Sequence, residues 1–157
     1  MAESLLPLVN VFTFTKPENS GGYAGGMEIG PLTTRAVLTI NEDDSLRDAA
    51  VSMVERGVGS AVVVTDGKPV GIVTDRDIMR CYAQGAEEVE RSVAHYLSRR
   101  LLTAPATMSV REAAQIMRDR GFRHLVVVDD AGCLVGVFSM RDLVVGLLQE
   151  IQATASA

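Results

Sequence analysis

The sequence predicts an α/β chain, of the α+β kind, built from two copies of one strand–helix–strand–strand–helix unit. Three observations lead there. Gly71-Ile72-Val73-Thr74-Asp75-Arg76-Asp77 returns as Gly136-Val137-Phe138-Ser139-Met140-Arg141-Asp142. Ser45-Leu46-Arg47-Asp48-Ala49-Ala50 returns 64 residues later as Ser109-Val110-Arg111-Glu112-Ala113-Ala114. Gly57 with Gly121, and Val62-Val63-Val64 with Val126-Val127-Val128, keep that offset. Self-similarity at a fixed period marks a repeat architecture. The offset widens to 65 at Gly71 and Gly136, because Asp66-Gly67-Lys68 is matched by the longer turn Asp129-Asp130-Ala131-Gly132.

In the first copy, Val37 to Ile40 reads as a short strand. Ser45 caps a helix and Asp48 closes a capping box. Leu46, Ala49, Ala50, Met53 and Val54 recur at helical spacing on one face, and Arg56-Gly57 ends the helix. Ser60 to Thr65 is a β-branched run, hence a buried strand. Asp66-Gly67 is a hairpin signal, Val70 to Val73 is the return strand, and Thr74 opens a second helix carrying Ile78, Met79 and Tyr82. The second copy follows the same course through Leu102-Thr103, Ser109–Arg120, His124–Val128, Leu134–Phe138 and a helix from Met140 to about Gln152.

The organisation that follows is an arm over residues 1–35, a first repeat over 36–85, a linker over 86–101 and a second repeat over 102–153. Leu8 to Thr15 has the composition of one extended strand, and Asn19 to Gly26 is rich in turn formers. Two readings of the arm stay open: a tail, or a strand that docks on a partner chain or folds over the module. In the linker, Val93, Tyr96 and Leu97 point to a short helix after the acidic segment Glu87-Glu88-Val89-Glu90, read as solvated surface.

Bulk properties narrow the function. The chain of 157 residues has a net charge of −5, which is not the basic footprint of a nucleic-acid binder. Trp is absent and aromatics are 4%, so the core must be aliphatic. Two cysteines, Cys81 and Cys133, are too few for a disulfide framework and read as buried, reduced thiols. With no signal-peptide pattern and no apolar run long enough to cross a bilayer, a cytoplasmic protein without membrane attachment is expected.

These repeats resemble cystathionine-β-synthase (CBS) domains, and the pair resembles a Bateman module. The resemblance covers about residues 36–150, and it rests on Val58 to Asp66 together with Gly71 to Asp77 and their second-copy counterparts. It implies two β-α-β-β-α units packed with pseudo-two-fold symmetry, with two clefts that in many members bind AMP, ADP, ATP or S-adenosylmethionine. It implies a regulatory homodimer paired through helices, acting on a partner protein. Met53, Met79, Met117, Tyr82 and Leu147 are candidates for that apolar surface.

The residues suit a nucleotide. Gly71 and Gly136 remove a side chain where backbone would meet ligand. Thr74 and Ser139 stand where a helix begins, and a helix N-terminus offers N–H groups and a positive dipole end to phosphate. Asp77 and Asp142, one turn in, can accept from ribose hydroxyls. The same spacing is that of a plain capping box, so both readings stand.

By resemblance, the adenine slot of the first site uses Thr39, Ser60, Ala61 and Val62, and that of the second Thr103, Leu125 and Val126. Related modules use basic residues at the position of Arg123 and His124 to reach phosphates in the other repeat's cleft. The matching Gly59 and Ser60 carry no charge, so the cleft of Thr74 and Asp77 is expected to be the stronger one for charged nucleotides.

Catalysis is not expected. The two histidines, His95 and His124, form no His-x-x-x-His pair, there is no Cys-x-x-Cys, and no metal ligand set stands out. The leading reading is an adenine-nucleotide sensor that changes conformation or assembly on binding. The alternative is a structural or protein-interaction module with unoccupied clefts.

Overall fold

The computed structural model describes residues 10–13, 26–96 and 100–156. The chain divides into two compact units, the first centred on residues 38–101, the second on residues 26–37 with 102–156. In the first, β2 (Thr39–Asn41) runs parallel to β3 (Ser60–Thr65), which pairs antiparallel with β4 (Lys68–Thr74). Asp66 (φ 51°) and Gly67 (φ 76°) both take positive φ, as the tight hairpin requires. Helices α1 (Leu46–Arg56) and α2 (Asp75–Tyr82) complete the unit.

The second unit repeats this with β5 (Arg100–Pro105) parallel to β6 (His124–Val128), β7 (Leu134–Ser139) antiparallel to β6, and helices α3 (Val110–Arg120) and α4 (Met140–Ala155). With β1 (Asn10–Thr13) at its edge, its sheet runs β1-β5-β6-β7. The rest of the expected arm strand, Leu8-Val9 and Phe14-Thr15, lies outside the described residues. β5 opens at Arg100, inside the stretch expected as linker.

Each unit has its own aliphatic core. Leu38, Ile40, Leu46, Ala49, Met53, Ala61, Val63 and Val73 pack in the first; Leu102, Ala104, Val110, Ala113, Met117, Leu125, Val127 and Phe138 pack in the second. Met53 and Met117 are therefore core residues and not available to a partner, whereas Met79 and Tyr82 are exposed and Leu147 is half-buried. Val54, expected on the buried face of α1, is exposed, because it lies at the last turn, past the edge of the apolar stripe.

Residues 26–37 and 86–96 do not behave as a tail and a spacer. Ile29 is fully buried in the second unit's core, flanked by Met27 and Leu32. Its stretch is tied by three backbone hydrogen bonds: Val110 N–H to Met27 O (2.8 Å), Ile29 N–H to Met108 O (2.9 Å) and Gly30 N–H to Ala106 O (2.9 Å). In the first unit the same three bonds recur 64 residues away, from Leu46 to Arg91 (3.2 Å), Val93 to Asp44 (2.7 Å) and Ala94 to Glu42 (3.0 Å). Val93, the counterpart of Ile29, is also fully buried. The segment that precedes each repeat in sequence thus packs inside the other repeat's unit.

Burying an aliphatic side chain is worth about 1.5–3 kcal/mol, and a net hydrogen bond about 0.5–1.5. Ile29 and Val93 therefore supply anchoring comparable to their hydrogen bonds, which add the register.

The second segment carries polar ties too. The acidic stretch read as solvated surface forms a short 3-10 turn, Ala86–Glu90, with Val89 buried. Glu88 accepts from the Tyr96 hydroxyl and pairs with Arg91 at 3.0 Å, and Glu90 pairs with Arg47. The bond to Glu88, together with burial and the neighbouring Cys81, raises the Tyr96 phenol well above its ordinary value. Val93–His95 is a second 3-10 turn where a short helix was expected; Leu97 lies outside the described residues.

Ile29→Ala should destabilise the protein by about 2–5 kcal/mol in urea unfolding, a core-sized loss at a position that composition assigns to a tail. Tyr96 holds its proton more tightly when folded than when unfolded. Its contribution is complete below the unfolded value of about 10 and is lost as pH rises toward the raised folded value. Unfolding of wild type and Tyr96→Phe across alkaline pH should therefore show a steeper loss above about pH 10 in the wild type.

Candidate functional site

Strand alternation sorts the expected site residues onto faces. In the first unit, Thr39 stands beside Val62 and Val62 opposite Ile72, while Ser60 stands opposite Thr74. These residues share the sheet face turned away from the core cluster. Ala61 falls on the other face, with Ile40, Val63 and Val73 in the core. In the second unit Thr103, Val126 and Val137 form the matching row, His124 stands opposite Ser139, and Leu125 sits in the core with Val127 and Phe138. The structure thus brings Thr39, Ser60, Val62 and Thr74 to one face, and Thr103, His124, Val126 and Ser139 to another. The side chains of Ala61 and Leu125 belong to neither.

Both readings of the Gly-to-Asp turn can be weighed on geometry. Asp77 Oδ2 accepts from Thr74 N–H (2.9 Å) and from its hydroxyl (2.7 Å); Asp142 Oδ2 accepts from Ser139 N–H and hydroxyl (2.7 Å each). Glu112 does the same for Ser109 at the start of α3. The capping box is therefore formed at both candidate sites, and it engages one carboxylate oxygen. The second oxygen of Asp77 faces Arg80 at 3.4 Å, and Asp142 forms no ion pair among the described residues.

The helix N-termini are less open than expected. The first N–H of α2 donates to Gly59 O (3.1 Å), and that of α4 to Arg123 O (2.9 Å). The next N–H of α2 donates to the Asp75 carboxylate at 2.7 Å. At the start of α4, Met140 stands in place of Asp75 and brings no carboxylate.

Gly136 answers to a different neighbour than a ligand. A Cβ there would lie 2.4 Å from Thr34 O and 2.6 Å from Thr33 Cγ2. Thr34 and Val137 exchange both backbone hydrogen bonds, each 3.0 Å, so the glycine admits an extra strand segment against β7. The signal for this was in the sequence: Glu28, Ile29 and Leu32 lie 64 residues before Ser92, Val93 and Tyr96, so the repeat starts earlier than residue 36.

Arg123 is exposed and His124 half-buried, and both belong to the second unit with Ser139 and Asp142. Arg76 and Arg141 are exposed. Cys81 is buried, Cys133 only half-buried, and both are free thiols. Among the described residues no group of three or more His, Cys, Asp or Glu side chains could hold a metal ion, and no helix is long and apolar enough to cross a membrane.

The family model for the CBS domain matches twice, over residues 28–84 and 93–148, which places the repeat starts at the two crossing segments. The CBS domain-containing protein YhcV of Bacillus subtilis is 33% identical over 121 residues, covering 76% of this chain and 85% of that protein. An uncharacterized protein of Methanopyrus kandleri is 34% identical over 119 residues, covering 74% of this chain and 61% of the relative.

A CBS domain protein from Pyrobaculum aerophilum, solved in complex with AMP, superposes with a TM-score of 0.72 at 31% identity, covering 80% of this chain and 99% of that one. Two family matches, spaced as the internal repeat is spaced and each containing a capped Gly-to-Asp turn, leave one conclusion: the chain belongs to the CBS-domain family and carries two copies of the domain.

Proposed function

We propose that this protein is a regulatory adenine-nucleotide sensor, with AMP, ADP, ATP or S-adenosylmethionine as its ligand and no catalytic step of its own. The observation that carries the reading is the clustering of Thr103, His124, Val126 and Ser139, and of their first-unit counterparts Thr39, Ser60, Val62 and Thr74, on one sheet face of each unit. The AMP complex of the Pyrobaculum relative supports it.

In this reading Val62 and Val126 give the adenine an apolar wall. Ala61 and Leu125 contribute backbone alone. The second oxygens of Asp77 and Asp142 accept from ribose hydroxyls while the first hold the caps. Arg123 and His124 supply cationic or hydrogen-bonding groups to phosphate, a charge-assisted contact of the stronger kind.

The sensor acts by differential affinity: ligand stabilises one arrangement of the chain or its assembly, and a partner protein reads it. A homodimer is part of the proposal. Val54, Met79 and Tyr82 of the first unit, and Val144, Leu148 and Ile151 of α4, are exposed apolar side chains that a second copy would cover. The free thiols fit a cytoplasmic setting.

A thermal-shift series with AMP, ADP, ATP, S-adenosylmethionine and NAD tests the ligand. At about 100 times Kd, a single-site ligand adds about 2.7 kcal/mol, a rise of several degrees in Tm. No rise with any of the five would sink the reading in favour of an interaction module. By isothermal titration with the best ligand, Arg123→Ala should weaken binding by about tenfold if it touches phosphate. Sedimentation of wild type and Leu148→Glu should show a dimer for the first and a shift to monomer for the second.

A further inference from the structure

Thr103 and Thr39 are the same position in the two repeats, on the same side of the same sheet row. Their surroundings differ: β2 is an edge strand, whereas β5 lies between β1 and β6. Thr39 is exposed, so its hydroxyl can be solvated. Thr103 is 2% exposed, and its Oγ1 is buried with no hydrogen-bond partner among the described residues. The other such atom among the described residues is Thr65 Oγ1, at the hairpin end of β3, away from Ser60 and Thr74. A buried hydroxyl left unpaired destabilises the free protein, and a ligand that bonds to it recovers that loss on binding.

Three further differences point the same way. The α4 N-terminus carries Met140 where α2 carries Asp75, so an anion there meets one carboxylate, Asp142, instead of two. Arg123 and His124 are on the second unit's own β6 end, His124 directly opposite Ser139, where the first unit has Gly59 and Ser60. Asp142 is free of the ion pair that engages Asp77.

We infer that the second repeat holds the tighter nucleotide site, and that the Thr103 hydroxyl is its specificity-determining hydrogen-bonding group. The inference rests on the nucleotide-sensor reading and deepens it. It reverses the order of the two sites that the resemblance implies. Thr39 has no buried hydroxyl to satisfy, so the first repeat lacks this gain.

The test is isothermal titration of the full chain with AMP, for wild type, Thr103→Val, Thr103→Ser and Thr65→Val, with the Tm of each free protein. Valine keeps the shape of threonine and removes the hydroxyl. The tighter of the AMP binding events should weaken by about tenfold or more in Thr103→Val, stay within about threefold in Thr103→Ser, and hardly move in Thr65→Val, which removes a like hydroxyl away from the site.

The free Thr103→Val protein should melt at the wild-type temperature or above it, since an unpaired hydroxyl has been replaced by a methyl. If Thr103→Val binds AMP as wild type does, the inference is overturned while the sensor reading stands. A lowered Tm of the free Thr103→Val protein would also overturn it, by showing that the hydroxyl has a structural partner. If wild type binds none of AMP, ADP, ATP and S-adenosylmethionine, the sensor reading itself fails and takes the site assignment with it.

Discussion

The fold depends on one paired interaction: the two crossing segments that cap the start of the first helix of each unit. An α-helix begins with N–H groups that have no partner inside it. In α3 the first of these is met by Met27 O, and in α1 by Arg91 O, both from chain that lies beyond the neighbouring repeat's boundary. The same segments insert Ile29 and Val93 into the cores below. One short stretch thus caps a helix, completes a core and, at Thr34, covers the outer edge of β7. Glu150 tightens the second of these joints: its carboxylate accepts from Met27 N–H at 2.9 Å and pairs with Arg111 at 2.9 Å, tying α4, α3 and the crossing segment at one point.

The candidate site depends on that arrangement at its edges. β7 ends at Ser139, two residues past the Val137 that Thr34 holds, and Ser139 in turn starts α4. The position of the Ser139–Asp142 turn is therefore set from three sides: the β6 ladder, the crossing segment, and the Arg123 carbonyl that receives the first N–H of α4. Groups held this firmly lose little freedom when a ligand arrives, which favours binding.

Much of this was legible in the sequence. The β-branched runs and the helical spacing of Leu46, Ala49 and Met53 gave strands and helices in the right order, and Asp66-Gly67 gave the hairpin with its positive φ values. The caps at Ser45, Ser109, Thr74 and Ser139 were readable from their spacing alone. What escaped was non-local. Ile29 and Val93 each sit among turn formers or beside acidic residues, in stretches too short to show a period. Their burial comes from a partner loop, between a strand and the helix after it, some eighty residues away in one case and fifty in the other. Gly136 was read as making room for a ligand because a missing side chain announces a close approach without naming what approaches. Ala61 and Leu125 were placed in the slot by resemblance, and simple alternation from Ser60 and His124 would have sent them to the core.

The crossing segments also mean that the stretch that repeats and the stretch that folds are out of step. A fragment cut cleanly after the first repeat would keep Ile29 with no core to enter and leave the second core with a hole where Ile29 belongs. Two such half-molecules, or two whole chains opened at the crossing, could satisfy each other by trading the same segments between molecules. Repeats joined in this way carry, in their own connectivity, a route to domain-swapped assembly that repeats with self-contained cores do not have.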